Sequence, residues 1–241
     1  MTQRTVLCEL VDGVGVLTLN RPEKLNAINA PMLTELRQYL TDLAADATIR
    51  CLIVTGSGGS FCAGADLESD LEPGTVGHAA EVFDLLEDFP APTIGKLRGN
   101  CLTGGLELAL CCDLLVAATS VRIADTHSRW GLVPAGGMTV RLAERIGVSS
   151  AKRLAFTAEA VDGAHGWAIG LVDLCVADDE LDREVERLVS LICANSLGSH
   201  RIYKSLLRHH RGTQRTAALL FERSLPFGFA DDVGERIGKR P

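Results

Sequence analysis

Two adjacent glycines, Gly104 and Gly105, stand between apolar runs that ask for different secondary structure. Upstream, Pro92 to Leu97 (P-T-I-G-K-L) has the length and composition of a short buried strand. Downstream, Leu106 to Cys112 (L-E-L-A-L-C-C) is an apolar helix whose one charge is Glu107. A strand that turns directly into a buried helix points to an α/β fold. The junction also carries chemistry. A helix start leaves backbone N–H groups without partners, and its dipole favours negative charge there. Glycines let a ligand approach that backbone closely. Glu107, in the first turn, puts a carboxylate beside this anion site. Donors aimed at a developing oxyanion, with an acid or base close by, are two of the parts that acyl chemistry needs. On spacing alone the plainer reading stands beside it: a Gly-Gly helix start with a dipole-matched glutamate.

The flanking sequence supports a repeating mixture of strands and helices. Thr5 to Val11 and Val14 to Asn20 are β-branched runs joined by Asp12-Gly13, a strong hairpin signal. Asn29 can cap a helix that has Pro31 in its first turn and Leu33, Leu36, Leu40 and Leu43 at helical spacing. Cys51 to Thr55 is a short strand, followed by a glycine-rich loop from Gly56 to Asp66. Thr75 to Phe89 reads as a second helix. After Asp113, strands are expected over Leu114 to Ala117 and Val121 to Ile123, then a loop from Ala124 to Met138. Helices are expected over Thr139 to Ile146 and Ser150 to Phe156, a strand over Val172 to Val176, and an amphipathic segment over Asp178 to Ala194. The remainder is helical and strandless. The expected division is therefore a core over residues 1–195 and a helical region over 196–241. In that last region Arg201, Lys204, Arg208, Arg211 and Arg215 form one stripe if the helix continues through Gly212. A solvated face is the first reading of this stripe; an interface, or a landing site for ligand phosphates, is the second.

The 241 residues suit one large domain with a small appendage, and a hydrophobic content of 46% supplies a sizeable core. A net charge of −7 disfavours nucleic acid or an anionic membrane as the main partner. No apolar run reaches the ~18 residues of a membrane span, and the first ten residues lack the apolar core of a signal peptide. A cytoplasmic location is the expectation. The eight cysteines make no C-x-x-C and no zinc-type spacing with histidine. They are expected as buried free thiols. Cys62, in the glycine-rich loop, is the one to weigh as a thiolate, but no His or Arg is close in sequence to activate it. A Walker loop, a dinucleotide fingerprint and a G-x-S-x-G elbow are all missing.

Four stretches in order carry a family resemblance: Asn20-Arg-Pro-Glu-Lys-Leu-Asn-Ala27, Phe61-Cys-Ala-Gly-Ala-Asp-Leu67, Thr103-Gly-Gly-Leu-Glu-Leu-Ala109 with Cys112-Asp113, and Gly131-Leu-Val-Pro-Ala-Gly-Gly137 with Arg141-Leu142. Together they make the chain resemble the enoyl-CoA hydratase/isomerase (crotonase) superfamily along nearly its whole length. The resemblance implies a spiral of ββα units with a C-terminal helical trimerisation region. It implies acyl-CoA thioesters as substrates, an enolate-type oxyanion, and no permanently bound cofactor, with coenzyme A entering as part of the substrate. Carried onto this chain, the oxyanion donors are the N–H groups of Ala65 and Gly104. Contacts to the coenzyme would come from Lys24, Leu25 and Ala27, and from Ala63, Gly64, Asp66 and Leu67. No metal is implied. The assembly implied is a homotrimer or a hexamer made of two trimers.

In hydratases of this type two glutamates hold the water that adds across the C2–C3 double bond. Glu107 matches the first, and His127 stands where the second is expected. An imidazole titrates near pH ~6.5 when unperturbed, so it can give or take a proton near neutrality. Alternatively, His127 only hydrogen-bonds its own loop. Asp125 is close in sequence, but strand alternation does not say whether it points inward. Phe229-Ala-Asp-Asp232 resembles the region before the family's last helix, which often completes a neighbouring subunit's coenzyme site. Three functions follow: hydration of a 2-enoyl-CoA, a different enolate reaction such as double-bond isomerisation, or non-catalytic binding of acyl-CoA.

Overall fold

The computed structural model describes residues 4–68, 73–224 and 234. The first hairpin forms as its Asp-Gly turn asks, with β1 (Val6–Val11) antiparallel to β2 (Val14–Leu19). Asn29 then caps α1 (Ala30–Ala45), its side chain accepting from Met32 N–H at 3.0 Å. Leu33, Leu36, Leu40 and Leu43 are all buried beneath this helix, each contributing about 1.5–3 kcal/mol by removal from water. Next, β3 (Cys51–Gly56) pairs parallel to β2. It is apolar at successive positions because both its faces are covered. Leu52 and Val54 enter the main core, while Cys51 and Ile53 enter a second cluster on the opposite face.

From here the chain repeats itself. After α2 (Pro73–Glu87), β4 (Thr93–Leu97) joins the sheet, β5 (Asn100–Leu102) steps out of it, and α3 (Gly104–Ala109) follows. The next turn is the same: β6 (Leu114–Ala118), β7 (Arg122–Ala124), then α4 (Met138–Thr157). The short α5 (Gly163–Ala168) and β8 (Leu174–Val176) close the series. The result is a six-stranded sheet, β1-β2-β3-β4-β6-β8, parallel after its first pair, and a two-stranded sheet of β5 and β7. Isolated bridges widen the small sheet: Cys62 pairs with Cys101, and Ile123 with Val161. Each turn thus sends one strand to each sheet before its helix, a spiral of ββα units. The wall built by the second strands carries the site.

Three elements differ from sequence expectation. The helices expected over 139–146 and 150–156 meet end to end, parted only by Gly147 at φ +76° and ψ 153°. Neither β5 nor α5 was expected. The former is three residues long, and the latter has two glycines in six residues, so neither shows a clear period.

After α6 (Leu181–Ala194), which covers the second cluster with Leu181 and Val185, comes α7 (Leu197–Arg223). This helix does run through Gly212, but its basic stripe is not a solvated face. Lys204 reaches Asp113 at 2.6 Å and the Ala91 carbonyl at 3.0 Å. Arg208 pairs with Asp88 at 3.2 Å, and Arg215 with Glu87 and Glu144. The charges dock the helix onto the body, because Glu87 at the end of α2, Asp88 just after it, Asp113 just before β6 and Glu144 of α4 lie there. Apolar side chains are left outward: Ile202, Tyr203, Leu206, Leu207 and Leu220 are each more than 60% exposed. The Arg211 side chain and the Phe229–Asp232 stretch lie outside the described residues.

Candidate active site

The site begins with two loops that the small sheet brings together. The Cys62–Cys101 bridge and the bonds from Cys62 N–H to Asn100 O and from Leu102 N–H to Cys62 O lay the glycine-rich loop along β5. The approach requires glycine at 105, where a Cβ would sit 2.4 Å from the Cys62 carbonyl oxygen. On the other side, Ile28 N–H bonds Gly64 O and Asp66 N–H bonds Ile28 O, both at 2.8 Å. Ala65 N–H therefore faces away from Ile28. Gly64 makes the turn at φ +104°, a conformation that suits glycine. A Cβ on Gly104 would stand 3.4 Å from Ala65 N, so the two amides lie side by side. Neither N–H donates to an acceptor among the described residues.

The residue before the helix is strained. Thr103 has φ +51° and ψ −115°, costly for a β-branched residue, and its hydroxyl is hydrogen-bonded to that of Thr126; both side chains are buried. That pair ties the start of α3 to the loop after β7. Residues from both walls line a cavity of about 120 Å³, among them Ala65, Gly104, Glu107, His127, Phe83 and Trp130. Ala63 and Leu67 also line it. The other positions expected to contact the coenzyme stand elsewhere. Lys24 is an exposed partner of Glu68 at 2.6 Å, and Leu25 beside it is exposed in a left-handed turn. Ala27 is buried, with its carbonyl held by Arg21. The Asp66 carboxylate is taken up by Arg21 at 2.8 Å.

Glu107 is buried, and its orientation is fixed. Oε1 accepts from Gly136 N–H at 2.9 Å and Met138 N–H at 3.2 Å. Oε2 faces His127 Nε2 at 3.9 Å. His127 starts a short 3₁₀ turn, His127–Trp130. Asp125 does point inward. Its Oδ1 accepts from the His127 backbone N–H at 3.1 Å and lies 2.6 Å from Nδ1. A Glu–His–Asp line thus ends in the cavity. Sequence reasoning placed Glu107 and His127 but not Asp125; the Asp-x-His spacing, which lets an aspartate bond the backbone two residues on, was the available signal.

The 136–138 loop is itself held. Gly136 O accepts from the Arg141 guanidinium, which is buried and paired with Glu87 at 2.6 Å and Asp84 at 3.1 Å. At Gly136 a Cβ would sit 2.8 Å from both Glu107 Cδ and Oε2, and 2.6 Å from Phe83 Cε2. Gly136→Ala is therefore expected to displace the carboxylate and lower turnover at least ~10-fold, with steady-state kinetics as the measurement. Wild-type kinetics would mean that Glu107 tolerates displacement.

Cys62 is fully buried, and burial pushes its thiol up to about 12, so it holds no thiolate near neutrality. All eight cysteines are free. Among the described residues no group of His, Cys, Asp and Glu could hold a metal ion, and no helix is long and apolar enough to cross a membrane.

This geometry occurs on a fold shared with characterised proteins. The crystal structure of enoyl-CoA hydratase from Mycobacterium tuberculosis H37Rv superimposes with a TM-score of 0.82 at 34% identity, covering 91% of this chain and 95% of that one. The crotonyl-CoA hydratase of Syntrophomonas wolfei is 32% identical over 229 residues, 92% of this chain and 88% of the relative. The short-chain-enoyl-CoA hydratase of Clostridium acetobutylicum is 31% identical over 229 residues, with the same coverage of 92% and 88%. Residues 9–231 match the enoyl-CoA hydratase/isomerase family, and the chain belongs to it.

Proposed function

We propose that the protein is an enoyl-CoA hydratase, adding water across the C2–C3 double bond of a 2-enoyl-CoA. The observation that carries this reading is the placement of Glu107 Oε2 and His127 Nε2, 3.9 Å apart, in the same cavity as the amides of Ala65 and Gly104. With the thioester oxygen between the two amides, its polarisation withdraws electrons from C3 and stabilises the enolate formed by addition. A donor of this kind typically lowers the barrier by ~3–4 kcal/mol. Glu107 and His127 then hold the water beside C3. Ala63, Gly64 and Leu67 border the thioester end; Lys24 and Leu25, exposed outside the cavity, meet the coenzyme as it leaves, and the buried Ala27 and Asp66, both held by Arg21, support that segment. Coenzyme A comes and goes with the substrate, and the chemistry calls for no resident cofactor.

The test is hydration of crotonyl-CoA, followed as loss of the enoyl absorbance. Turnover supports the reading. Proton exchange at C2 without net hydration would favour isomerisation or another enolate reaction. Binding of crotonyl-CoA with no chemistry would favour a protein that only holds acyl-CoA.

We also infer a homotrimer, or two trimers joined as a hexamer. The support is α7, where Lys204, Arg208, Arg215 and Arg223 pair with the body while Ile202, Tyr203, Leu206, Leu207 and Leu220 face outward. Large apolar side chains exposed together, as Ile202, Tyr203, Leu206 and Leu207 are on neighbouring turns, mark an interface. Sedimentation is expected to give a trimer or hexamer at micromolar concentration; a stable monomer there would overturn the inference.

A further inference from the structure

We propose that Asp125 is a positioning residue that fixes His127 in its Nδ1–H tautomer, so that Nε2 carries the proton during hydration while Glu107 only orients the water. The proposal deepens the hydratase reading and rests on it for the reaction, though not for the tautomer.

The geometry constrains the roles unequally. Asp125 is 2% exposed, and its Oδ1 receives both the His127 backbone N–H and the ring Nδ1, the latter at 2.6 Å. A carboxylate is an acceptor, so the ring hydrogen in the neutral form lies on Nδ1. Nε2 is then the nitrogen without the hydrogen, 3.9 Å from Glu107 Oε2 on a residue that lines the cavity. Glu107 is an acceptor as well, and its Oε1 is already engaged by two amides that favour the ionised form. A water 2.8 Å from each of two acceptors that stand 3.9 Å apart donates both its hydrogens to them. Its lone pairs are then free for C3. Two ionisable groups face the His127 ring: Asp125, on the turn after β7, and Glu107, from α3.

The steps balance with one water and no other reactant. The water oxygen bonds C3 as one O–H bond breaks, and that proton goes to His127 Nε2. The C2–C3 π electrons move onto the thioester as an enolate, held by the Ala65 and Gly104 amides. The imidazolium is stabilised by the Asp125 carboxylate on its far side. As the enolate collapses, C2 takes the proton back from Nε2, and the second hydrogen of the water stays on the new hydroxyl. Glu107 takes up no proton in this sequence.

The experiment has two arms. In the first, 15N shifts of the His127 ring are recorded on the labelled wild-type protein above its titration. Nδ1 protonated and Nε2 bare is the expected result; the opposite tautomer overturns the proposal, whether or not the protein turns over any substrate. In the second, Asp125→Asn is compared with wild type on crotonyl-CoA. Turnover is expected to fall ~100-fold with KM nearly unchanged, and the acid limb of the kcat profile to move down by about one pH unit, because the imidazolium loses its counter-charge. A variant with the wild-type acid limb and kcat overturns the proposal, as does one in which only KM or thermal stability changes. If the wild type hydrates nothing, the hydratase reading fails by itself, and the ring shifts still decide the tautomer.

Discussion

Glu107→Gln is expected to lower kcat on crotonyl-CoA by about 100-fold or more while leaving KM close to wild type. The substitution keeps what the loop needs. A glutamine Oε1 can still accept from Gly136 N–H and Met138 N–H, now at 2.9 and 3.2 Å from the carboxylate, so the wall of the cavity stays in place. The second position changes its character. Where Oε2 accepts, an amide –NH2 donates, and His127 Nε2 stands as an acceptor 3.9 Å away. The amide would bond the ring directly and take the place of the water. One substitution thus removes an acceptor for the water and blocks its proton carrier. Glu107→Ala separates this from a folding effect. It leaves two buried amides without their acceptor, at ~1–3 kcal/mol each, so it should lose thermal stability where Gln does not. Kinetics beside thermal unfolding of both variants makes the comparison. A Gln variant with wild-type kcat would reduce Glu107 to a brace for the 136–138 loop.

That brace shows where sequence reading stops. Period and capping are local, so the Asp12-Gly13 hairpin, the Asn29 cap and the short strand β3 could be read residue by residue. Glu107 could be placed because a glycine pair and an apolar helix fix its turn. Orientation across loops could not. Alternation along β7 ends at Ala124, and the backbone turns at Thr126, so the direction of Asp125 depends on the close of the strand. The basic stripe of α7 misled for a related reason. Amphipathicity shows that a helix has two faces, not which one meets the protein. The acidic partners that settle it, Asp113 for Lys204 and Glu87 for Arg215, lie 91 and 128 residues away.

The same long-range charges set the largest expected loss of stability. Arg141→Met should cost about 3 kcal/mol, towards the low end for breaking a buried ion pair. Arg141 is 3% exposed and bridges three acceptors: Glu87, Asp84 and the Gly136 carbonyl. Methionine fills much of the volume but satisfies none of them. The loss stays near the low end because Arg215 still meets Glu87 and Arg223 still meets Asp84. Burial alone would raise the Glu87 carboxyl; hydrogen bonds and charge from Arg141 and then Arg215 outweigh it and hold Glu87 below the usual glutamate range. A depressed folded value means stability that is present above the unfolded glutamate's ~4.3 and lost as pH falls through the folded value. Arg141→Met should therefore flatten the acid side of the stability profile as well as lower its plateau, measured by urea unfolding at several pH values. Combining it with Glu87→Met should recover part of the loss, since an apolar pair leaves no buried charge unmatched. The double variant should nevertheless stay slow, because Gly136 O, and through its loop Glu107, still lacks the guanidinium. Recovery of both stability and turnover would show that Arg141 supports the fold alone; an unchanged unfolding midpoint in the single variant would show that Arg215 suffices for Glu87.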